Sequence, residues 1–232
     1  MTTDRHDREM SDGVDQENPW TMTSSGVKFD LLNPNPEMVN VDDIVKAAAR
    51  IRRFTGHGQD WPVTVAEHSI LVHDVMKKLI PTTMIAPDRY DNYLFDALMH
   101  DAHEVYVNDL SRPMKIAMRH LMPLVDGKPS RSPYDIIESR CMKAVAGAFG
   151  LTYPHPPLVA EADMMALAWE ADRLWGPGTA TAWNLQAEAE WMEANGPWVV
   201  CVGFAAEVLF RGLIQHYQEL AGHTCQHERT LT

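Results

Sequence analysis

His100 and Asp101 stand side by side in this chain, and Glu104 follows one helical turn later. Adjacent helical residues lie about 100° apart, so an imidazole and the next carboxylate can flank one metal ion while a glutamate a turn away reaches a water beside it. An upstream His68 and a downstream Asp163 complete a set of two imidazoles and two carboxylates. Such a set leaves positions open for a phosphoryl oxygen and a water, which is what metal-assisted hydrolysis of a phosphate ester requires. Mixed nitrogen and oxygen ligands suit Mn, Co, Fe or Zn better than a thiolate-seeking ion or an all-oxygen calcium cage.

Each residue alone has a plainer reading, His68 and His100 as satisfied core histidines and Asp163 as a capping or surface residue. Together they read as a site. A carboxylate within an apolar helix is costly, and metal ligation is one way to offset that cost. His103, between Asp101 and Glu104, is left out of the ligand set and read as a supporting or surface residue. The stretch His223 to His227 reads as part of a disordered tail rather than as a metal site.

Cations suited to phosphate lie nearby in sequence: Arg52 and Arg53, Lys77 and Lys78, Arg112 and Lys115. Arg53 and Lys115 are favoured because each borders a loop that leads toward a site helix, and an arginine fork matches phosphate oxygens. Lys77 and Lys78 fit a solvated helix end. Phe54 and Trp61 are placed to stack a base, or simply to pack beside the glycine loop at Gly56 and Gly58.

The elements that must position these residues read as helices. Asp42 or Asp43 caps a first helix carrying Ile44, Val45, Ala48 and Ile51, and Thr64 caps a second whose stripe is His68, Leu71, Val72, Val75, Met76 and Leu79. Apolar spacing predicts further helices over about 92–107, 112–122, 133–149, 158–174, 183–194 and 203–221, separated by proline and glycine breaks. The first of these carries His100, Asp101 and Glu104 together. Ser25 to Leu32 reads as an extended segment or short hairpin. The expected architecture is a single all-α helical bundle over 23–222, with a disordered leader at 1–22 and a flexible tail at 223–232.

The chain has 232 residues, 45% of them hydrophobic and 22% charged, which suffices for one domain with a real core. Its three cysteines are widely spaced and form neither a disulfide framework nor a zinc pattern, so a cytoplasmic setting is expected. No apolar run approaches the roughly 18 residues that span a bilayer, and Met1 to Asn18 lacks a signal-peptide core. A net charge of −12 repels duplex phosphates and argues against broad nucleic-acid binding. An anionic small molecule would instead need a local basic pocket.

In chain order, Arg-Phe…Ala-Glu-His-Ser, His-Asp-x-x-Glu, Asp-Leu-x-x-Pro-x-Lys and Ala-Asp-x-x-x-Ala resemble the HD-domain phosphohydrolases. Within them the likeness is to the small branch of 5′-deoxynucleotidases and phage dATP triphosphohydrolases, and it runs from about Ser25 to Trp175. The resemblance implies metal ligation by His68, His100, Asp101 and Asp163, and a Glu104 that works with the attacking water. It also implies phosphate handling by Arg53 and Lys115, with Asp109 holding a sugar hydroxyl or orienting Arg53. An all-α fold, a divalent transition metal (Co, Mn, Zn or Fe), Mg accompanying the phosphates, and a homo-oligomer are implied as well. The apolar residues Phe204, Val208, Leu209, Leu213 and Ile214 fit either an oligomer contact or core. A phage-encoded relative would work in its host's cytoplasm.

Arg112 departs from the branch, whose bacterial nucleotidases usually carry an uncharged residue there. A triphosphate bears about −4 near neutrality against about −2 for a monophosphate, so this extra cation tips the reading to a deoxynucleoside triphosphate, dATP-like, cleaved to nucleoside and triphosphate. The alternatives are a 5′-nucleotidase on deoxynucleoside monophosphates and a nucleotide-binding regulatory module that does not cleave. A structural interaction protein is the reading without chemistry.

Overall fold

Thr64 opens the central helix through a reciprocal cap. Its hydroxyl accepts from the Glu67 N–H at 3.3 Å, and the Glu67 carboxylate accepts from the Thr64 N–H at 2.9 Å. The other Glu67 oxygen accepts from the Gly203 N–H at 2.9 Å, which ties this start to the approach of the last helix. In the computed structural model, residues 19–58, 63–80, 86–125 and 127–230 are described, save for the side chains of 87, 88 and 223–230.

The fold is all-α apart from two short hairpins. Strands β1 (Trp20–Met22) and β2 (Lys28–Asp30) pair antiparallel, with Trp20 opposite Asp30. Helix α1 (Val41–Ala48) is followed by α2 (Val65–Leu79), α3 (Pro87–Met99), the short α4 (Glu104–Val107) and α5 (Arg112–His120). A second hairpin, β3 (Leu124–Val125) with β4 (Lys128–Pro129), leads to α6 (Pro133–Phe149) and α7 (Pro157–Trp175). The chain ends through α8 (Thr179–Ala182), α9 (Gln186–Asn195) and α10 (Phe204–Thr230).

Helix α2 packs against α3, α7 and α10, so it is enclosed on nearly every side. Its sequence fits that place, because Val65, Ala66, Ile70, Leu71, Val72, Val75 and Met76 are all buried. A helix apolar around most of its circumference belongs inside a bundle. His68 sits on it with no exposed surface.

Several sequence expectations are corrected. Asn40 caps α1, accepting from the Asp42 N–H at 2.8 Å, in place of Asp42 or Asp43. Asp43 is instead buried and accepts from the Ser25 N–H at 2.7 Å and the Ser25 hydroxyl at 2.6 Å, fastening the first hairpin to α1. The leader expected over 1–22 gives way at its end to β1, which is held because Phe29 of the paired strand is buried and stacks on Tyr106 with ring centroids 3.6 Å apart. Beyond the helix expected over 203–221, α10 continues to Thr230.

The single helix expected over 92–107 is two. It stops after Met99, turns through 100–103, and restarts at Glu104. His100 and Asp101 therefore lie in a turn between helices and Glu104 at the start of the next one, so the three do not share one helical face. Among the described residues no helix is long and apolar enough to cross a membrane.

Candidate metal centre

Two hydrogen bonds decide which way the imidazoles face. His68 Nδ1 lies 2.7 Å from Glu170 Oε1, and His100 Nδ1 lies 2.8 Å from the carbonyl oxygen of Ala97. A carboxylate and a carbonyl can only accept, so each Nδ1 carries a hydrogen and, in a neutral ring, each Nε2 is a bare lone pair. Both Nε2 atoms are buried and turn toward one point. The carboxylates converge there too, with Asp163 Oδ1 3.1 Å from His68 Nε2 and 3.9 Å from His100 Nε2. Asp101 Oδ2 is 3.1 Å from His100 Nε2 and 3.6 Å from His68 Nε2.

Lone pairs and anionic oxygens this close repel one another unless a cation lies between them. Burial and the Arg53 charge pull the His68 imidazole down, yet Glu170 and Asp163 outweigh them and lift it to about 9. A pocket that keeps a proton on a fully buried histidine favours positive charge. His68, His100 and Asp163 can hold a metal ion. Asp101 adjoins them with its carboxyl held well below the usual range despite burial, by the imidazoles of His100 and His68 and by Arg53.

These four side chains come from separate parts of the fold. His68 lies in α2, His100 and Asp101 in the turn after α3, and Asp163 in α7, which packs on both α2 and α3. Glu170, two turns beyond Asp163 on α7, is fully buried and was not found from sequence. Its position seven residues from Asp163 puts both on one helical face, and its place in an alanine-rich stretch was the available signal. Burial raises its carboxyl, but Arg53 and His68 more than compensate and keep it ionised.

Arg53 is buried, with Nη1 3.3 Å from Asp101 Oδ2 and Nε 3.3 Å from Glu170 Oε2. It braces the ligand set from behind as well as bordering it. The backbone turns sharply at once, with Phe54 and Thr55 in the left-handed region at φ 55° and 57°. Phe54 is half-buried, under the Arg53 guanidinium and edge-on to Trp175 with centroids 5.2 Å apart. Trp61 lies outside the described residues.

Glu104 opens α4 beside Asp101. Burial raises its carboxyl well above the usual range, and the negative charges of Asp101 and Asp109 add to that rise. Its Oε2 is buried without a hydrogen-bond partner. Asp109, half-buried, is raised by burial and by Asp101 against the pull of Arg53 and Lys115. Lys115 Nζ lies 2.5 Å from Glu138 Oε1, so this cation already has an acid partner. Arg112 is exposed, its Nη1 3.7 Å from the sulfur of Met164, the residue after Asp163.

His103 is not a surface residue, being 7% exposed, with Nε2 3.3 Å from Glu138 Oε1. With Glu104 and Glu138 it forms a second group able to hold a cation. Beside it, a cavity of about 460 Å³ begins at His100 and His103 and extends to Arg119, Arg131 and His155. None of these last three was singled out from sequence. Burial pushes the His155 imidazole down to about 4, so it is a neutral ring.

No family model matches the chain. An uncharacterized protein of Rhodobacter capsulatus is 30% identical over 168 residues, spanning 70% of this chain and 76% of that protein. The uncharacterized protein YfdR of Escherichia coli is 28% identical over 148 residues, 64% of this chain and 68% of YfdR.

Proposed function

We propose a function for a chain that belongs to the same family as the uncharacterized Rhodobacter capsulatus protein: it is a metal-dependent phosphohydrolase acting on deoxynucleotides. The observation that carries this reading is the convergence of the Nε2 atoms of His68 and His100 with two carboxylates, beside a buried Glu104 oxygen that has no hydrogen-bond partner. The motif order that resembles HD-domain phosphohydrolases supports it independently. A divalent cation (Mn, Co, Fe or Zn), held by His68, His100, Asp101 and Asp163, supplies Lewis acidity to a phosphoryl oxygen and makes nearby water more acidic.

The protein's own groups do the rest. In its ionised form Glu104 would take a proton from the attacking water as the water oxygen bonds to phosphorus, and a proton would pass to the 5′-oxygen as the P–O5′ bond breaks. Arg53 and Lys115 offset the negative charge that grows on the equatorial oxygens, and Arg112 reaches the same region from the start of α5. Asp109 receives a sugar hydroxyl or steadies Arg53. Phe54 offers one face of a base contact in an aromatic group with Trp175 and Trp183.

The leading substrate is a deoxynucleoside triphosphate, dATP-like, released as nucleoside and triphosphate, with Mg accompanying the phosphates. The alternative is a 5′-nucleotidase on deoxynucleoside monophosphates. Homo-oligomer formation belongs to the same proposal and is supported by Phe204 and Val208, 79% and 53% exposed one turn apart on α10. The test is hydrolysis of a panel of deoxynucleoside mono- and triphosphates with added Mn or Co, separating nucleoside, orthophosphate and tripolyphosphate. Tripolyphosphate from one triphosphate is expected. Orthophosphate only from monophosphates selects the nucleotidase, and absence of turnover by the metal-loaded protein overturns the enzyme reading.

A further inference from the structure

Helix α5 is amphipathic, and it meets the protein with its polar side. Lys115 Nζ lies 2.5 Å from Glu138 Oε1, and Arg119 gives a fork to Asp135, with Nη2 at 2.6 Å and Nε at 3.0 Å, so α6 holds the helix by ion pairs. Met114, Met118 and Leu121 recur at the spacing of another face, and no residue of α5 is buried. The apolar surface continues into the second hairpin. Met114, Leu121, Leu124 and Val125 each expose between 51% and 86% of their surface. A surface helix ordinarily turns its apolar stripe to the core, and an apolar patch left outward marks a contact with another body.

Charge narrows what that body is. From Arg112 to Arg131 the sequence carries five lysines and arginines against one acid, Asp126. Lys115 and Arg119 are matched by α6, while Arg112, Lys128 and Arg131 pair with no carboxylate among the described residues. In a chain of net charge −12 this is a cationic island. Two copies of this face would repel each other, so its cover is apolar and acidic.

The same chain carries such a surface elsewhere. From Gln186 to Leu209 it has four glutamates and no lysine or arginine. Val199 and Phe204 there are 78% and 79% exposed, and Val208 follows Phe204 one turn along α10. Cations that approach this stretch are engaged already: Lys78 donates to the Asn195 carbonyl and stands over the Trp198 ring, and Arg211 pairs with Asp42. Both surfaces remain exposed within one chain, so neither covers the other.

The geometry points to a head-to-tail contact between copies of this chain, in which the face of α5 and the second hairpin of one copy seats on the Val199 to Val208 surface of the next. The inference names the faces of the homo-oligomer and rests on the phosphohydrolase reading for its consequence at the site. A contact between unlike faces repeats until a ring closes. Helix α5 carries Arg112 and Lys115 yet buries no apolar residue of its own, so the neighbouring copy clamps both cations beside the metal centre.

The test is the mass of the full-length protein in solution, read by light scattering, with Leu121→Asp and Phe204→Asp variants alone and mixed. Both positions are exposed, and melting temperatures confirm folding. The unaltered protein is expected to have a mass of two chains or more, and each variant alone the mass of one. Mixed, the variants are expected to pair, because the first keeps the α10 face and the second keeps the α5 face. KM for the best nucleotide is expected to rise about tenfold in each variant, the worth of one charge-assisted contact, and to recover in part on mixing. A monomeric unaltered protein, including one that floats with phosphatidylglycerol vesicles, overturns the proposal. So does a variant that keeps the unaltered mass, which would mean that like faces pair, or variants that stay monomeric when mixed. KM unmoved in monomeric variants overturns the clamp on α5. If no nucleotide is cleaved the hydrolase reading fails by itself, because the masses still decide the contact.

Discussion

Glu170 Oε1 lies 2.7 Å from His68 Nδ1, joining two fully buried side chains 102 residues apart in sequence. This bond fixes the tautomer of His68 and aims its other nitrogen at Asp101 and Asp163. The same carboxylate reaches Arg53 through Oε2, so one residue of α7 sets both a metal-facing imidazole and a cation beside it.

Replacing Glu170 with Gln is therefore expected to keep the fold and lower metal affinity. Partners of this kind are worth about 10- to 100-fold in affinity. Calorimetric titration with Mn or Co reads the effect directly. Affinity equal to that of the unaltered protein would remove Glu170 from the metal centre.

Asp101→Ala and Glu104→Gln separate holding the metal from using it. Asp101→Ala is expected to lose both bound metal and turnover. Glu104→Gln is expected to keep the metal while turnover falls by about 100-fold or more, the usual worth of a placed general base. Metal content of the purified variants, measured beside their rates on the best nucleotide, checks the pair. Full activity in Glu104→Gln would place the base elsewhere.

The pH dependence of stability follows from His68. In the metal-free protein its imidazole titrates at about 9, above the ordinary value of about 6.5 for the unfolded chain. The stability it contributes is thus fully present below about pH 6.5 and is lost as pH rises toward 9. Metal binding needs the neutral ring, so affinity runs the opposite way. The melting-temperature difference between metal-loaded and chelator-treated protein is expected to widen from pH 6.5 to 9. A constant difference across that range would exclude His68 as a ligand.

Thr55 is exposed and β-branched, and it is held at φ 57° beside Phe54 in the same left-handed region. A residue of this kind there costs about 1 kcal/mol or more, which glycine relieves. Thr55→Gly is expected to raise the melting temperature by about 2 to 4 °C. A lower melting temperature would mean that the Thr55 side chain holds the turn that presents Arg53.

Much of this protein was legible along the chain. The helical periods, the Thr64 cap and the proline and glycine breaks are local properties, and they located most of the helices because propensity and capping act within a few residues. Residues able to hold a metal could be picked out too, since His68 and Asp163 are polar residues on apolar helical faces. The break between Met99 and Glu104 was not, because apolar spacing runs on through it, while the turn brings His100 and Asp101 against residues from α2 and α7. Nor was the end of α10, where the polar sequence gave no period to follow. Glu170, His155 and Arg131 gain meaning only from neighbours in space: a buried carboxylate facing His68, an imidazole without a hydrogen-bond partner, and a guanidinium in the wall of a cavity. Sequence by itself determined which side chains were available for chemistry. Only the tertiary structure decided which of them share one buried volume, because burial and charge proximity are set by how helices pack and not by spacing along the chain.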